Sequence, residues 1–165
     1  MTALVGIVMG SDSDLPHLEP CMRTLNEFGI GYCVDVISAH RTPADAHAYG
    51  SSARERGLKV IIAAAGGAAH LAGVMASLTT LPVIGIPIPA TMDGLDALLS
   101  TVQMPAGVPV ATVAAGPSGG TNAAVLAAQI LGTHDPAMAE KLRLYKEKLA
   151  ASVREKNRTL KAKLG

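Results

Sequence analysis

The chain has 165 residues, enough for one well-buried core and too few for two comfortable ones. Apolar residues make up 49% of it but aromatic ones only 2%, which argues against single-stranded nucleic-acid and flavin sites built on aromatic stacking. The net charge of +1 is unevenly spread: from Asp135 onward nine Lys/Arg stand against four Asp/Glu, leaving five basic and nine acidic residues upstream, so a mildly acidic body ends in a basic tail.

Five short apolar runs, residues 3–9, 31–37, 59–65, 81–88 and 109–114, alternate with helix-like segments at 14–28, 43–56, 68–79, 93–103 and 118–131. Several of the runs are apolar throughout, as strands covered on both faces are. The alternation predicts right-handed crossovers and a three-layer α/β sandwich around a parallel, flavodoxin-like sheet, with residues 1–134 as one α/β domain. Asp135-Pro136 suits a helix start. From there Met138, Leu142, Tyr145, Leu149, Val153, Leu160 and Leu164 trace a narrow apolar stripe through residues 135–165. About 27 helical residues would span about 40 Å, more than a domain of this size can cover, so the stripe predicts packing on another subunit. The alternative is a closing helix that frays beyond Ala151.

The two cysteines, Cys21 and Cys33, have no metal-ligand spacing and cannot build a disulfide framework, which fits a reduced cytoplasm. The first residues carry no basic leader, and their apolar run stops at Gly10. The longest apolar stretch, 60–76, is interrupted by Gly66, Gly67, His70 and Gly73, so it reads as buried α/β structure rather than a membrane span. For the basic tail, a solvated helix face with positive charge near its C-terminus is preferred to a nucleic-acid surface.

Ligands of open parallel sheets bind beyond the carboxyl ends of the strands, and four turns there carry unusual residues. Met9-Gly10-Ser11-Asp12-Ser13-Asp14 precedes a helix, and its glycine, hydroxyls and free N–H groups suit an oxyanion, while its carboxylates suit a hydroxyl donor such as a ribose. Ser13 or Asp12 would equally serve as a helix cap. Ser38-Ala39-His40-Arg41-Thr42-Pro43 places a residue that exchanges protons near neutrality beside a planar cation suited to phosphate or carboxylate. Thr42 and Pro43 are explained by the helix start alone. Ala65-Gly66-Gly67-Ala68-Ala69-His70 offers bare backbone to a small ligand, or else tight helix packing. Gly116-Pro117-Ser118-Gly119-Gly120 matches G-x-S-x-G, but no acid and then histidine follow in order, so Ser118 is read as part of a ligand-facing or packing turn and not as a nucleophile. Dinucleotide and Walker glycine motifs are absent from the sequence.

Together with Val102-Gln103-Met104-Pro105 and the Asn122 to Leu131 segment, the first three turns make the chain resemble the PurE family of purine biosynthesis over about residues 4–135. Within that family, N5-carboxyaminoimidazole ribonucleotide mutases carry Gly-Gly-Ala-Ala-His-Leu at the third turn, as here, whereas direct aminoimidazole ribonucleotide carboxylases carry Gly-Arg-Ser-Asn-Ala. The resemblance implies an isomerase that moves a carboxylate from the exocyclic nitrogen to C4 of the imidazole, without ATP, metal or organic cofactor. It implies His40 as general acid/base. Ser11, Asp14, Ser38, Arg41, Gly67 and His70 would contact the ribonucleotide, with His70 shaping the CO2 pocket. Direct carboxylation by CO2 is the enzyme alternative, and a phosphosugar-binding protein without catalysis is the other. The resemblance further implies a cytoplasmic homo-octamer with no nucleic-acid or membrane partner, and raises handover of substrate from the N5-carboxylating synthetase. Ala72, Leu15 and the Thr91-Met92-Asp93-Gly94 turn depart from the commoner family pattern.

Overall fold

The structure is a computed structural model and describes residues 2–165. Five parallel strands, β1 (Val5–Met9), β2 (Tyr32–Val36), β3 (Val60–Gly66), β4 (Val83–Ile88) and β5 (Ala111–Thr112), lie in the order β2-β1-β3-β4-β5. The helices are α1 (Leu15–Phe28), α2 (Pro43–Ser52), α3 (Leu71–Leu78), α4 (Leu95–Val102), α5 (Pro117–Gly132) and α6 (Pro136–Leu164). This is the expected flavodoxin-like sandwich. The chain steps from β1 outward to β2 and then crosses back to β3, so the strand order reverses beside β1.

The strand sequences follow from burial on both faces. Alternate residues Val5, Ile7, Met9, Ile62 and Ile84 meet Leu18, Leu25 and Phe28 of α1 and the alanine face of α5, with Met138 of α6 closing that side. Their neighbours Val8, Ile61, Ala63 and Val83 meet Tyr49 of α2 and Leu71 and Met75 of α3. Each large aliphatic side chain buried in this way contributes about 1.5–3 kcal/mol. Alanines 123, 124, 127 and 128 let α5 approach closely, and at Gly119 even one carbon more is excluded: an added Cβ would lie 2.1 Å from the Ala114 carbonyl oxygen.

Element ends differ from the sequence expectations for local reasons. The outer strand β5 is short: it pairs only through Ala111 and Thr112, after Pro109, which has no N–H to give. On β2 the α1-side residues Val34 and Val36 stay exposed, because α1 lies over the inner strands. Helix α2 stops at Ser52 rather than near residue 56, where Ser51 and Ser52 donate back to the carbonyls of His47 and Ala48, each at 2.7 Å. The first helix is preceded by a 3-10 turn, Asp12–Asp14, and α3 begins only at Leu71, because residues 67–70 fold as tight turns. Helix α6 runs unbroken for 29 residues, about 43 Å at 1.5 Å per residue. Asp135 caps it by accepting from the amides of Ala137 and Met138, and every residue from Lys146 onward is exposed. Among the described residues no helix is long and apolar enough to cross a membrane.

Candidate active site at the strand-order switch

The loops after β1, β2, β3 and β4 enclose a cavity of about 470 Å³ at the switch point. All seven residues singled out from sequence, Ser11, Asp14, Ser38, His40, Arg41, Gly67 and His70, line it.

The β1 loop is held by a reciprocal cap. The Ser11 hydroxyl accepts from the Ser13 amide at 3.3 Å, while the Asp14 carboxylate accepts from the Ser11 amide at 3.2 Å. Ser11 therefore occupies the capping position expected of Ser13 or Asp12, and Ser13 instead donates its hydroxyl to Ser11 Oγ at 2.9 Å. Asp14 is buried. Desolvation raises its pKa above the ordinary carboxylate value, opposed by the Ser11 amide and by the charges of His17 and Arg41.

The β2 loop is a closed turn. The Thr42 amide donates to the Ser38 carbonyl at 2.8 Å, and the Thr42 hydroxyl donates to that carbonyl at 3.0 Å and accepts from the Ser38 amide at 3.1 Å. Thr42 thus stands at the start of α2, as expected, but its hydroxyl fastens the loop rather than capping the helix. Ser38 Oγ accepts from both the backbone amide and Nε of Arg41, each at 3.2 Å. The guanidinium then reaches the β1 loop, where Nη2 donates to the Gly10 carbonyl at 2.8 Å. One cation is so fixed between two loops at the cavity mouth, with donors left over for an anion.

In the β3 loop Gly67 adopts φ +61°, a left-handed conformation with open space where a side chain would stand. His70 follows as the residue before α3. Its Nδ1 lies 2.8 Å from His40 Nε2, with the rings edge-on at 85° and centroids 4.9 Å apart. The β4 loop adds Ala90 and Thr91 as a wall. Beyond it Met92 and Asp93 take φ of 45° and 54°, rare for residues with side chains, and the Thr91 hydroxyl donates to Asp96.

In the sequence Thr91 stands out only as part of a turn that departs from the family pattern, and neither the Arg41–Gly10 tie nor the histidine pair is visible there, since they join residues 31 and 30 positions apart. The fourth glycine-rich turn lies outside the cavity. Gly119 is there for close packing, and the hydroxyl of the exposed Ser118 makes no hydrogen bond among the described residues. Both cysteines are free, and burial pushes the Cys21 thiol up to about 12, which keeps it protonated and unreactive.

Such a fold and site define a doubly wound α/β protein with a small pocket at its switch point, lined by one arginine and a pair of histidines. The family described as AIR carboxylase matches residues 4–152, and the chain belongs to that family. It is 56% identical over 158 residues to a protein of Pyrococcus horikoshii named N5-carboxyaminoimidazole ribonucleotide mutase, covering 95% of this chain and 88% of that one. A Thermotoga maritima protein of the same name is 54% identical, over 94% of this chain and 91% of its own length. In three dimensions the chain is similar to the crystal structure of Treponema denticola PurE, with a TM-score of 0.86 at 31% identity, covering 96% of this chain and 99% of that one.

Proposed function

We infer that this protein is an N5-carboxyaminoimidazole ribonucleotide mutase, an isomerase of purine (IMP) biosynthesis that needs no ATP. The observation that carries the reading is the third loop. Gly66-Gly67-Ala68-Ala69-His70-Leu71 has the mutase form, borders the cavity, and brings its histidine into contact with His40.

In this reading Arg41 and the positive end of α1 oppose the phosphate. Asp14 accepts from ribose hydroxyls, and Ser11 and Ser38 complete the contacts. The bare backbone at Gly67 holds the carboxylate, and the CO2 released from it, away from water. His40 gives its proton to the carbamate nitrogen. The N–C bond then breaks, releasing CO2 and leaving the amine. C4 attacks the retained CO2, and the C4 proton returns to His40, so one proton is lent and recovered and no net charge is left behind.

The unit that performs this is residues 1–134. The first turns of α6 close this chain's own core through Met138, Leu142 and Tyr145, so not all of residues 135–165 is free for a partner. The exposed part from Lys146 onward packs on a neighbouring subunit of a cytoplasmic homo-octamer. That assembly is supported by the overhanging α6, where Leu149, Val153 and Leu160 are exposed, and by an exposed row on α4 formed by Leu95, Leu99 and Val102. The substrate is a carbamate and falls apart in water, so direct receipt from the N5-carboxylating synthetase belongs to the same proposal.

The test is a paired assay. Purified protein is given aminoimidazole ribonucleotide with bicarbonate, and separately the N5-carboxylated ribonucleotide. Efficient turnover of the second is expected, and efficient turnover of the first alone would make the protein a direct carboxylase. His40→Asn is expected to lower turnover by roughly 10²–10⁴-fold while ligand binding is largely retained. A non-catalytic phosphosugar-binding protein would lose nothing.

A further inference from the structure

His40 sits on an exposed turn, where an imidazole left alone samples several orientations and both tautomers. His70 is exposed as well, but its backbone is anchored to a helix. It directly precedes α3, its amide donates to the Ala68 carbonyl at 2.8 Å, and its own carbonyl accepts from Val74 at 2.9 Å as the first turn of that helix. The 2.8 Å contact therefore couples the His40 ring to a second ring carried at the start of a helix. It also consumes one nitrogen of each ring, and among the described residues His40 Nδ1 has no hydrogen-bond partner.

We propose that His70 is a positioning residue for His40: it accepts from His40 Nε2–H, orients the ring, and leaves His40 Nδ1 as the nitrogen that exchanges protons with the substrate. The direction of the bond follows from tautomer chemistry. If His40 donates, both rings keep the Nε2–H form that neutral histidine ordinarily prefers, whereas the reverse direction forces both into the Nδ1–H form. The donating arrangement leaves Nδ1 bare, ready to take the C4 proton. When His40 carries both protons, the same bond is charge-assisted and holds the imidazolium in place. The inference rests on the mutase reading for what Nδ1 meets, but the bond and the tautomer exist without substrate.

The experiment therefore has two arms, applied to the full-length protein, His70→Leu and His70→Asn. Asparagine places an oxygen near the position of the histidine Nδ1 and can accept the same bond; leucine cannot. In the first arm, 15N-histidine NMR, with His40→Asn used to assign the signals, is expected to show neutral His40 in the Nε2–H form in the parent and His70→Asn, and a mixed tautomer in His70→Leu. In the second, His70→Leu is expected to lower kcat on the N5-carboxylated ribonucleotide by roughly 10–100-fold with KM changed little, and His70→Asn to recover most of it. An unchanged His40 tautomer in His70→Leu, or His70→Asn no better than His70→Leu, overturns the proposal. A parent protein that does not turn over this substrate refutes the mutase reading instead, and the NMR arm still decides the role of His70.

Discussion

Arg41 Nη2 donates to the Gly10 carbonyl at 2.8 Å, so the turn after β2 is fastened to the turn after β1 by a side chain that also faces the cavity. The same guanidinium holds Ser38 Oγ through Nε, and a planar fork is needed to reach both at once. Arg41→Lys keeps the charge and loses the fork. It is expected to raise KM for the ribonucleotide about tenfold or more, while Tm changes by about 1 °C or less, since the residue is exposed. Steady-state kinetics and a thermal melt check both halves.

Asp14 ties acidity to stability. Burial raises its pKa more than the Ser11 amide, His17 and Arg41 lower it, so the folded protein binds this proton more tightly than the unfolded chain does. Its contribution is present in full below the ordinary carboxylate range and is lost as pH rises through the raised folded value. Asp14→Asn can keep the bond from the Ser11 amide without the charge. It is expected to raise Tm by about 1–2 °C at neutral pH and to lose that advantage near the ordinary carboxylate pKa of about 4. Ligand affinity should fall at both. Melts across pH provide the measurement, and an advantage that grew toward acid would contradict the sign.

Two glycines should fail in different ways. Gly119→Ala pushes a methyl into the Ala114 carbonyl and against Ile86, and is expected to cost about 3 kcal/mol in urea unfolding. Gly67→Ala meets no atom but must hold φ +61°, a strain of about 1–2 kcal/mol, and its methyl intrudes on the cavity. Its loss should appear chiefly in turnover.

Truncation after Ala151 removes only exposed residues of α6, among them Val153, Leu160 and Leu164. The shortened protein is expected to fold, with unchanged near-UV circular dichroism, but to scatter light as a smaller assembly. A full-length protein that is a stable monomer at micromolar concentration would remove the basis for the inter-subunit helix.

The parallel sandwich was legible because β1, β3 and β4 are apolar throughout, a pattern that only strands covered on both faces can tolerate. Helix ends were not, since the end of α2 coincides with serine hydroxyls turned back on its carbonyls and the start of α3 with the tight turns at residues 67–70. At the site, His40 and Arg41 stood out because the helix start explained only Thr42 and Pro43, while the bare loop at Gly67 had tight helix packing as its other reading. That His40 meets His70 was invisible, because it depends on the loops after β2 and β3 flanking the end of β1, which sheet order decides and local sequence does not.

The cavity's walls come from residues 10, 41, 67 and 91 on four different loops, and each parallel strand pairing between them is made only after a helical crossover. Such non-local pairings are slow to form, and their loops close at an entropic cost before any contact rewards it. No fragment that lacks one of these four loops, and no single βα unit, can carry the pocket. During refolding, ligand binding should therefore return with the slowest phase, after helical circular dichroism has recovered, so that a bound ribonucleotide reports completion of the whole sheet.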